Sequence, residues 1–301
     1  MAIISRALTT DMFLANALPV LEEIIFSKLE AYPDIIPILA NMKGVTGWGT
    51  QTTEQSGVGA VAAIAEGASV SYDDIAQGAS KTFTYAKYGI GVKVTEEMID
   101  DQKFDQVGDI YESMARSMFD GRQQAFMDNF NNAFTTAGYD GVTLCATNHP
   151  LVKAGGTENN RPTVDLDLSV TSLRTALTDI KSTLSHEGLK QHLRPKYLLV
   201  SDTNIYDAHE LLKSDLKPGG ANNDINYFTI LGLEYLSSTY LSDSDAWFVV
   251  CDQHKLMWMD RKPPTVKSQE DFDAGCMKTK ITSRWDTGHA SWYGIYGSSG
   301  A

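Results

Sequence analysis

The chain has 301 residues, enough for one large domain or two ordinary ones, and its apolar share of 43% is sufficient for a packed core. Acidic residues outnumber basic ones by 38 to 25, a formal charge of -13 that serves solubility and argues against a sequence-reading nucleic-acid binder, whose footprint is a basic patch. The opening residues lack the apolar stretch of a secretory signal, no uncharged apolar run is long enough to span a membrane, and three widely spaced cysteines (Cys145, Cys251, Cys276) fit a reducing cytoplasm better than a disulfide framework.

Residues 1–45 read as an arm. Thr10 is a candidate helix cap, followed by Phe13, Ala17, Leu21, Ile24, Ile25 and Leu29 at nearly a helical period; Pro19 interrupts the pattern, and Pro33 and Pro37 end it. Such a stripe needs a covering surface, on its own body or on a neighbouring copy. From Gly44 to about Ala79 small residues dominate, with Trp48 as the only large anchor, so the stretch buries too little to fold alone. KTFTYAKYGIGVKVT then alternates as a strand. Phe83 and Tyr85 lie in one parity and Tyr88, Ile90, Val92 and Val94 in the other, which predicts a bulge or sharp twist near Ala86-Lys87. A long excursion returning as a good strand reads as a projecting β-loop.

A helix is predicted from about Phe104 to Phe134, with Phe104, Val107, Tyr111, Met114, Met118 and Phe126 on its apolar stripe. Asp105, Asp109, Glu112, Arg116, Asp120 and Gln123 fall on the other side, and Arg116 has carboxylates four residues away in both directions, Glu112 and Asp120. Arg122 lies on the apolar side, where a carboxylate from the same subunit or a neighbour is its expected partner. Beyond Gly138 a mixed α/β region follows. A helix opens at Ser169 or Thr171 and runs to about Leu184, a buried strand covers 196–201, and Asp202 is placed as cap of a second helix ending near Ser214. Strands are expected near Leu233–Leu236, Trp247–Cys251 and Leu256–Met259, then between Met277 and Tyr296.

Chemical motifs are scarce. Gly89-Ile90-Gly91 lacks a third glycine and sits inside a strand; Asp243 and Asp245 lack the spacing of a calcium loop. Cys145 and His149 are four apart but lack two further zinc ligands, so a buried thiol and a loop histidine are the plainer reading. No catalytic, cofactor or metal residue is nominated.

The order of elements, and several long blocks, resemble a known family. AIAEGASVSYDDI with KTFTYAKYGIGVKVTEEMIDD, ATNHPLVKAGG, LRPKYLLVSDTN, LLKSDLKPGGANNDIN and WDTGHASWYGIYGSSGA are similar to the Mu-like major head subunit family of tailed bacteriophages. The resemblance implies the α+β Hong Kong 97-type capsid fold: an N-arm at 1–45, an E-loop at 46–94, and a peripheral domain with its spine helix at 95–136. An axial domain would follow at 137–260, with return strands of the peripheral domain at 261–301. It implies a non-enzymatic major capsid protein, assembled in the host bacterial cytoplasm into pentamers and hexamers of the virion shell around double-stranded DNA. Scaffolding, portal and decoration proteins are the other implied partners. With no helical prefix before Met1, the scaffold is expected to be a separate chain or absent. A loop-lysine cross-link through Lys81 or Lys87 is not expected. Phe13, Leu21, Trp48, Phe83, Tyr85 and Arg122 are the candidate inter-subunit contacts, with no cofactor. The alternatives are an encapsulin-like cargo-enclosing shell and, from another class, a soluble cytosolic hydrolase or binding domain.

Overall fold

One long helix serves as the common wall of two four-stranded sheets. A computed structural model describes residues 23, 25–95, 97, 98, 101, 104–216, 225–271 and 273–301; Thr10, Phe13, Ala17 and Leu21 lie outside the described residues. The apolar stripe forms helix α1 (Phe104–Asn131), about 42 Å long at the usual rise per residue. Val107, Tyr111, Met114, Met118, Phe126 and Phe130 on that stripe are buried, while Asp109, Arg116 and Gln124 face solvent. Arg116 pairs forward with Asp120 at 3.7 Å, and Glu112 pairs with Lys28 of the helical residues 25–31 at 2.8 Å. Gln123 departs from the expected polar side. It is buried because Asp34 Oδ1 accepts its amide N–H at 2.6 Å, and the same oxygen accepts the backbone N–H of Ile36.

Twelve strands, two further long helices and shorter helical pieces at 25–31, Ile36–Leu39 and Tyr227–Leu231 complete the described fold. Strands β1 (Asn41–Gly44), β2 (Gly49–Gln55), β3 (Gln77–Thr84) and β4 (Ala86–Thr95) precede α1. After it come β5 (His149–Pro150), β6 (Thr157–Glu158), α2 (Val170–Ser182), β7 (Pro195–Ser201), α3 (Ile205–Lys213), β8 (Glu234–Ser238) and β9 (Trp247–Cys251). Strands β10 (Leu256–Asp271), β11 (Cys276–His289) and β12 (Ile295–Ser298) close the chain.

The first sheet has the order β1-β10-β11-β4. β1 comes from the expected arm and pairs in parallel with Met257–Asp260, while Ile25, Ile36 and Leu39 are buried in the same core as α1. The described part of the arm thus lays Ile25, Ile36 and Leu39 on its own body and leaves Phe26, Ile38 and Met42 exposed. The predicted parity change is a transfer between sheets: β3 ends at Thr84, β4 begins at Ala86, and Tyr85 is the pivot. β3 pairs with β2, whereas β4 pairs with β11 over ten residues. The β10–β11 ribbon is much longer than the sequence suggested. Pro263-Pro264 reads as a break, but register shifts from Asp260 to Thr265 accommodate it where β10 has passed the end of β1 and no longer needs donors on both sides.

The second sheet has the order β12-β9-β7-β8, with β7 and β8 parallel. Residues 295–298 pair with β9 in this sheet, while β10 enters the first sheet at Leu256. α2 opens on the capping box of Ser169 and Ser172. α3 starts at Ile205 after Asn204, without a side-chain cap, so Asp202 does not hold the position expected of it. Both helices cover one face of this sheet, and the end of α1 covers the other.

Phe126 touches Phe130 and Trp258 edge-on, and Phe130 meets Phe248 of β9 at 5.1 Å. This aromatic seam joins α1 to both sheets. Phe126→Ala is expected to destabilise the monomer by about 3–5 kcal/mol in denaturant unfolding, the usual cost of an aromatic cavity, with both sheets lost in one transition.

Candidate inter-subunit surfaces

Between β2 and β3 the chain makes an excursion, residues 56–76, without helix or strand. Its neck is closed by hydrogen bonds, Ser56 N–H to Ala76 O at 2.9 Å and Ala76 N–H to Ser56 Oγ at 2.8 Å. Beyond the neck the backbone presents apolar side chains outward: Val61 and Tyr72 are essentially fully exposed, with Val58, Ile64, Val70 and Ile75 more than half exposed. Three carboxylates (Glu66, Asp73, Asp74) and no lysine or arginine occur in this stretch.

Its root is fixed to the body. Glu54, on β2, is buried, and Tyr139 Oη donates toward both of its oxygens at 3.1 Å while Ser291 Oγ donates to Oε1 at 2.7 Å. His186 Nε2 lies 2.9 Å from Oε1, off the line of a good hydrogen bond. Burial, then the charges of Glu54 and Asp140, push the Tyr139 phenol far above its usual range, so it stays a donor. Farther out, Lys153 pairs with Asp73 at 2.5 Å and donates to Asp74 O, and the Gly57 N–H donates to Glu187 at 3.0 Å. The bond from Lys153, then that from the Gly59 N–H, holds the Asp73 carboxyl below its ordinary value.

The first sheet has one face turned from α1. Along β11 the odd-numbered side chains from Met277 to Trp285 are buried, leaving Lys278, Lys280 and Arg284 on the reverse. Their cross-strand partners are Lys93, Gly91 and Lys87 on β4, and Gln269, Lys267 and Lys262 on β10. Lysines therefore stand directly opposite one another at Lys267–Lys280 and Lys93–Lys278, an arrangement that costs stability on an isolated sheet. Asp271, paired with Lys278, offsets one of these charges. The negative net charge thus conceals a segregated basic face.

Beneath the excursion's root, the expected loop histidine is part of a buried staple. Both ring nitrogens of His149 are engaged, one with Asp140 at 2.9 Å and the other with Asn160 Oδ1 at 3.1 Å, and the ring stacks on Trp292. Asn160 also donates to Leu144 O and Ile295 O, stitching three segments together. Burial would raise the Asp140 carboxyl, but hydrogen bonds from His149 and the Val142 N–H outweigh it and hold it below its usual value. Cys145 is buried beside this staple, its thiol pushed up by burial. Among the described residues no cluster has the makings of a metal site.

With this geometry in view, the chain can be set beside known proteins. A family model described as phage capsid protein matches residues 78–298, from β3 to the end of β12 and well over half of the chain. The chain belongs to the phage capsid protein family. Solved structures agree in fold across this family's architecture. The procapsid protein of bacteriophage JBD30 is 15% identical, covering 95% of this chain and 74% of its own, with a TM-score of 0.53. A capsid subunit of an empty GTA particle is 12% identical over 87% of each chain, with a TM-score of 0.59. A virus-like particle from Pyrococcus furiosus is 9% identical, covers 94% of this chain and 99% of its own, and has a TM-score of 0.57. Fold likeness alone thus spans phage heads and virus-like particles, and the family match is what separates them. No curated protein sequence matches the chain significantly.

The expected contact residues separate by position. Trp48 is 80% exposed beside β2. Phe83 and Tyr85 are instead buried in their own subunit, against Met257, Met259 and Ala290, which corrects their placement at a subunit boundary. Arg122 pairs with Asp260 at 3.6 Å and lies over the Trp258 ring, so its partner comes from the same chain. Phe13 and Leu21 lie outside the described residues. Glu54 escaped the sequence reading because a single acid in a polar strand gives no sign of burial; the lysine face was missed as well, although the alternation of Lys278 and Lys280 with apolar neighbours carried a signal for it.

Two outcomes are expected. Glu54→Leu leaves Tyr139 and Ser291 without their acceptor at about 1–3 kcal/mol per buried group, so proteolysis within 56–76 and amide exchange in β2 should accelerate, and less so for Glu54→Gln. Burial, and then Lys81, lowers the His289 pKa from 6.5 to about 4. Between those values the unfolded chain binds the extra proton, so stability is full above pH 6.5 and declines as pH falls toward 4. His289→Gln should flatten this part of a Tm–pH profile.

Proposed function

We propose that the chain is the major head subunit of a tailed bacteriophage, assembling in the host bacterial cytoplasm into pentamers and hexamers that close as an icosahedral shell around double-stranded DNA. The observation that carries this reading is the 56–76 excursion: its apolar side chains are exposed along its length while its root is hydrogen-bonded in place. A loop so built holds its apolar surface ready for another copy. The lysine face of the first sheet is its receiving surface, because the excursion carries carboxylates and no cations while the sheet carries opposed lysines that a neighbour would relieve.

In this reading the excursion is the E-loop, α1 is the spine helix, the first sheet belongs to the peripheral domain and the second to the axial domain. The role is structural: each contact is modest, and repetition around a closed shell makes it strong. Separate scaffolding, portal and decoration proteins would act on the assembled rings. Trp48, close to the loop's root and open to solvent, is a further inter-subunit anchor.

The test is replacement of residues 58–74 by a short glycine-serine turn. Because Ser56 and Ala76 already bond to each other, the variant should unfold at the wild-type temperature, yet show no shells by negative-stain microscopy. Shells of normal size from this variant would overturn the proposal.

A further inference from the structure

On the helical side of the second sheet, a groove of about 430 Å³ runs between α2 and the segment entering β8. Its floor is apolar, formed by Leu177, Leu193, Phe228 and Leu233, and Ile225 and Tyr227 stand at its margin, each more than 60% exposed. Three cations border it: Arg174 and Lys181 on α2, and Arg194 just before β7, all exposed. None of them forms an ion pair among the described residues. In a chain of charge -13, three unpaired cations around an apolar trough form a surface suited to an acidic segment with an apolar centre.

The same chain carries such a segment. α3 buries Ala208, Leu211 and Leu212 against the second sheet and turns its other side outward. On that side Tyr206 is 82% exposed, with Glu210 one helical turn along from it, Asp207 next in sequence and three residues before Glu210, and Asp202 just before the helix. Tyr206 is a large aromatic side chain flanked by carboxylates, the complement of an apolar trough flanked by cations.

We infer that α3 of one copy docks in the α2 groove of the next, Tyr206 entering the trough while Asp207 and Glu210 meet Arg174, Lys181 and Arg194. The occupant is thus a second copy of this chain. The two surfaces share no residue, so the contact is heterologous and passes from copy to copy around a ring. Tyr206 supplies the buried anchor, and the charges fix register and suppress wrong pairings. The inference rests on the reading of the chain as a shell subunit and names the contact that would close its rings. It uses none of the surfaces assigned to the excursion.

The experiment is a charge exchange on the full chain, read by sedimentation and negative-stain microscopy, with circular dichroism confirming that each variant folds. The cation-side variant (Arg174→Glu, Lys181→Glu, Arg194→Glu) and the acid-side variant (Asp207→Lys, Glu210→Lys) should each raise the concentration needed for rings or shells by about tenfold or more. Their combination in one chain should restore assembly, and Tyr206→Ser should weaken it without altering the monomer's Tm. Wild-type assembly that neither exchange disturbs overturns this contact and leaves the shell reading standing. Loss on the cation side alone, or a combination that does not recover, means that something other than α3 fills the groove and likewise overturns the inference. A wild-type chain that stays monomeric at every concentration overturns both.

Discussion

The seam along α1 is the constraint from which the other features follow. Its apolar stripe lies first against β4 and β11, then against Trp258 of β10, and finally against Phe248 of β9, so one rod fixes the relation of two sheets that share no strand. Close packing of rings resists sliding as well as separation, because a small displacement breaks many contacts together. With the sheets held in this way, β2 and β3 can project from the body and still leave it in a defined direction. A projecting loop locates a neighbour only if its root does not swing. Here the root is set by Glu54 in a buried pocket and by Tyr85, where the chain passes from one sheet to the other.

The sequence carried this architecture unevenly. α1, the capping box at Ser169, and the strands at 195–201 and 247–251 were readable because each depends on local periodicity or a short-range cap. The parity change around Tyr85 was readable as an irregularity, though not as a transfer between sheets, since pairing partners about two hundred residues away leave no local mark. The β10–β11 ribbon was under-read, with strands expected only near 256–259 and beyond 277, and its Pro263-Pro264 pair is tolerated where a bulge and a free edge coincide. The pairing of β12 with β9 was not readable because four residues carry no directional information.

The contact residues show a related limit. Phe83 and Tyr85 were chosen because large apolar side chains in a projecting loop suggest a partner, and the partner proved to be their own subunit. Gln123 and Glu54 went the other way: polar residues by type, buried because distant acceptors or donors reach them. Burial of a polar group is a pairwise property and cannot be read from one member of the pair. The surfaces proposed to meet other copies are instead the ones where type and environment disagree in the isolated chain, as with the bare valines of the excursion and the facing lysines of the first sheet.

Placing those lysines on a chain of charge -13 also has a kinetic consequence. At separations beyond a Debye length, about 8 Å at physiological salt, two copies sense mainly their net negative charges and repel. In the proposed contact, one copy's acidic loop meets the other's cations only at close range. Encounters are therefore slowed and wrong orientations rejected before apolar surface is committed, while a correctly placed pair is held. A subunit joined in the proposed way would start few particles and complete them. Strong salt would thin the long-range barrier and the short-range attraction together, so incomplete and misshapen particles should accumulate from faster starts and looser joins.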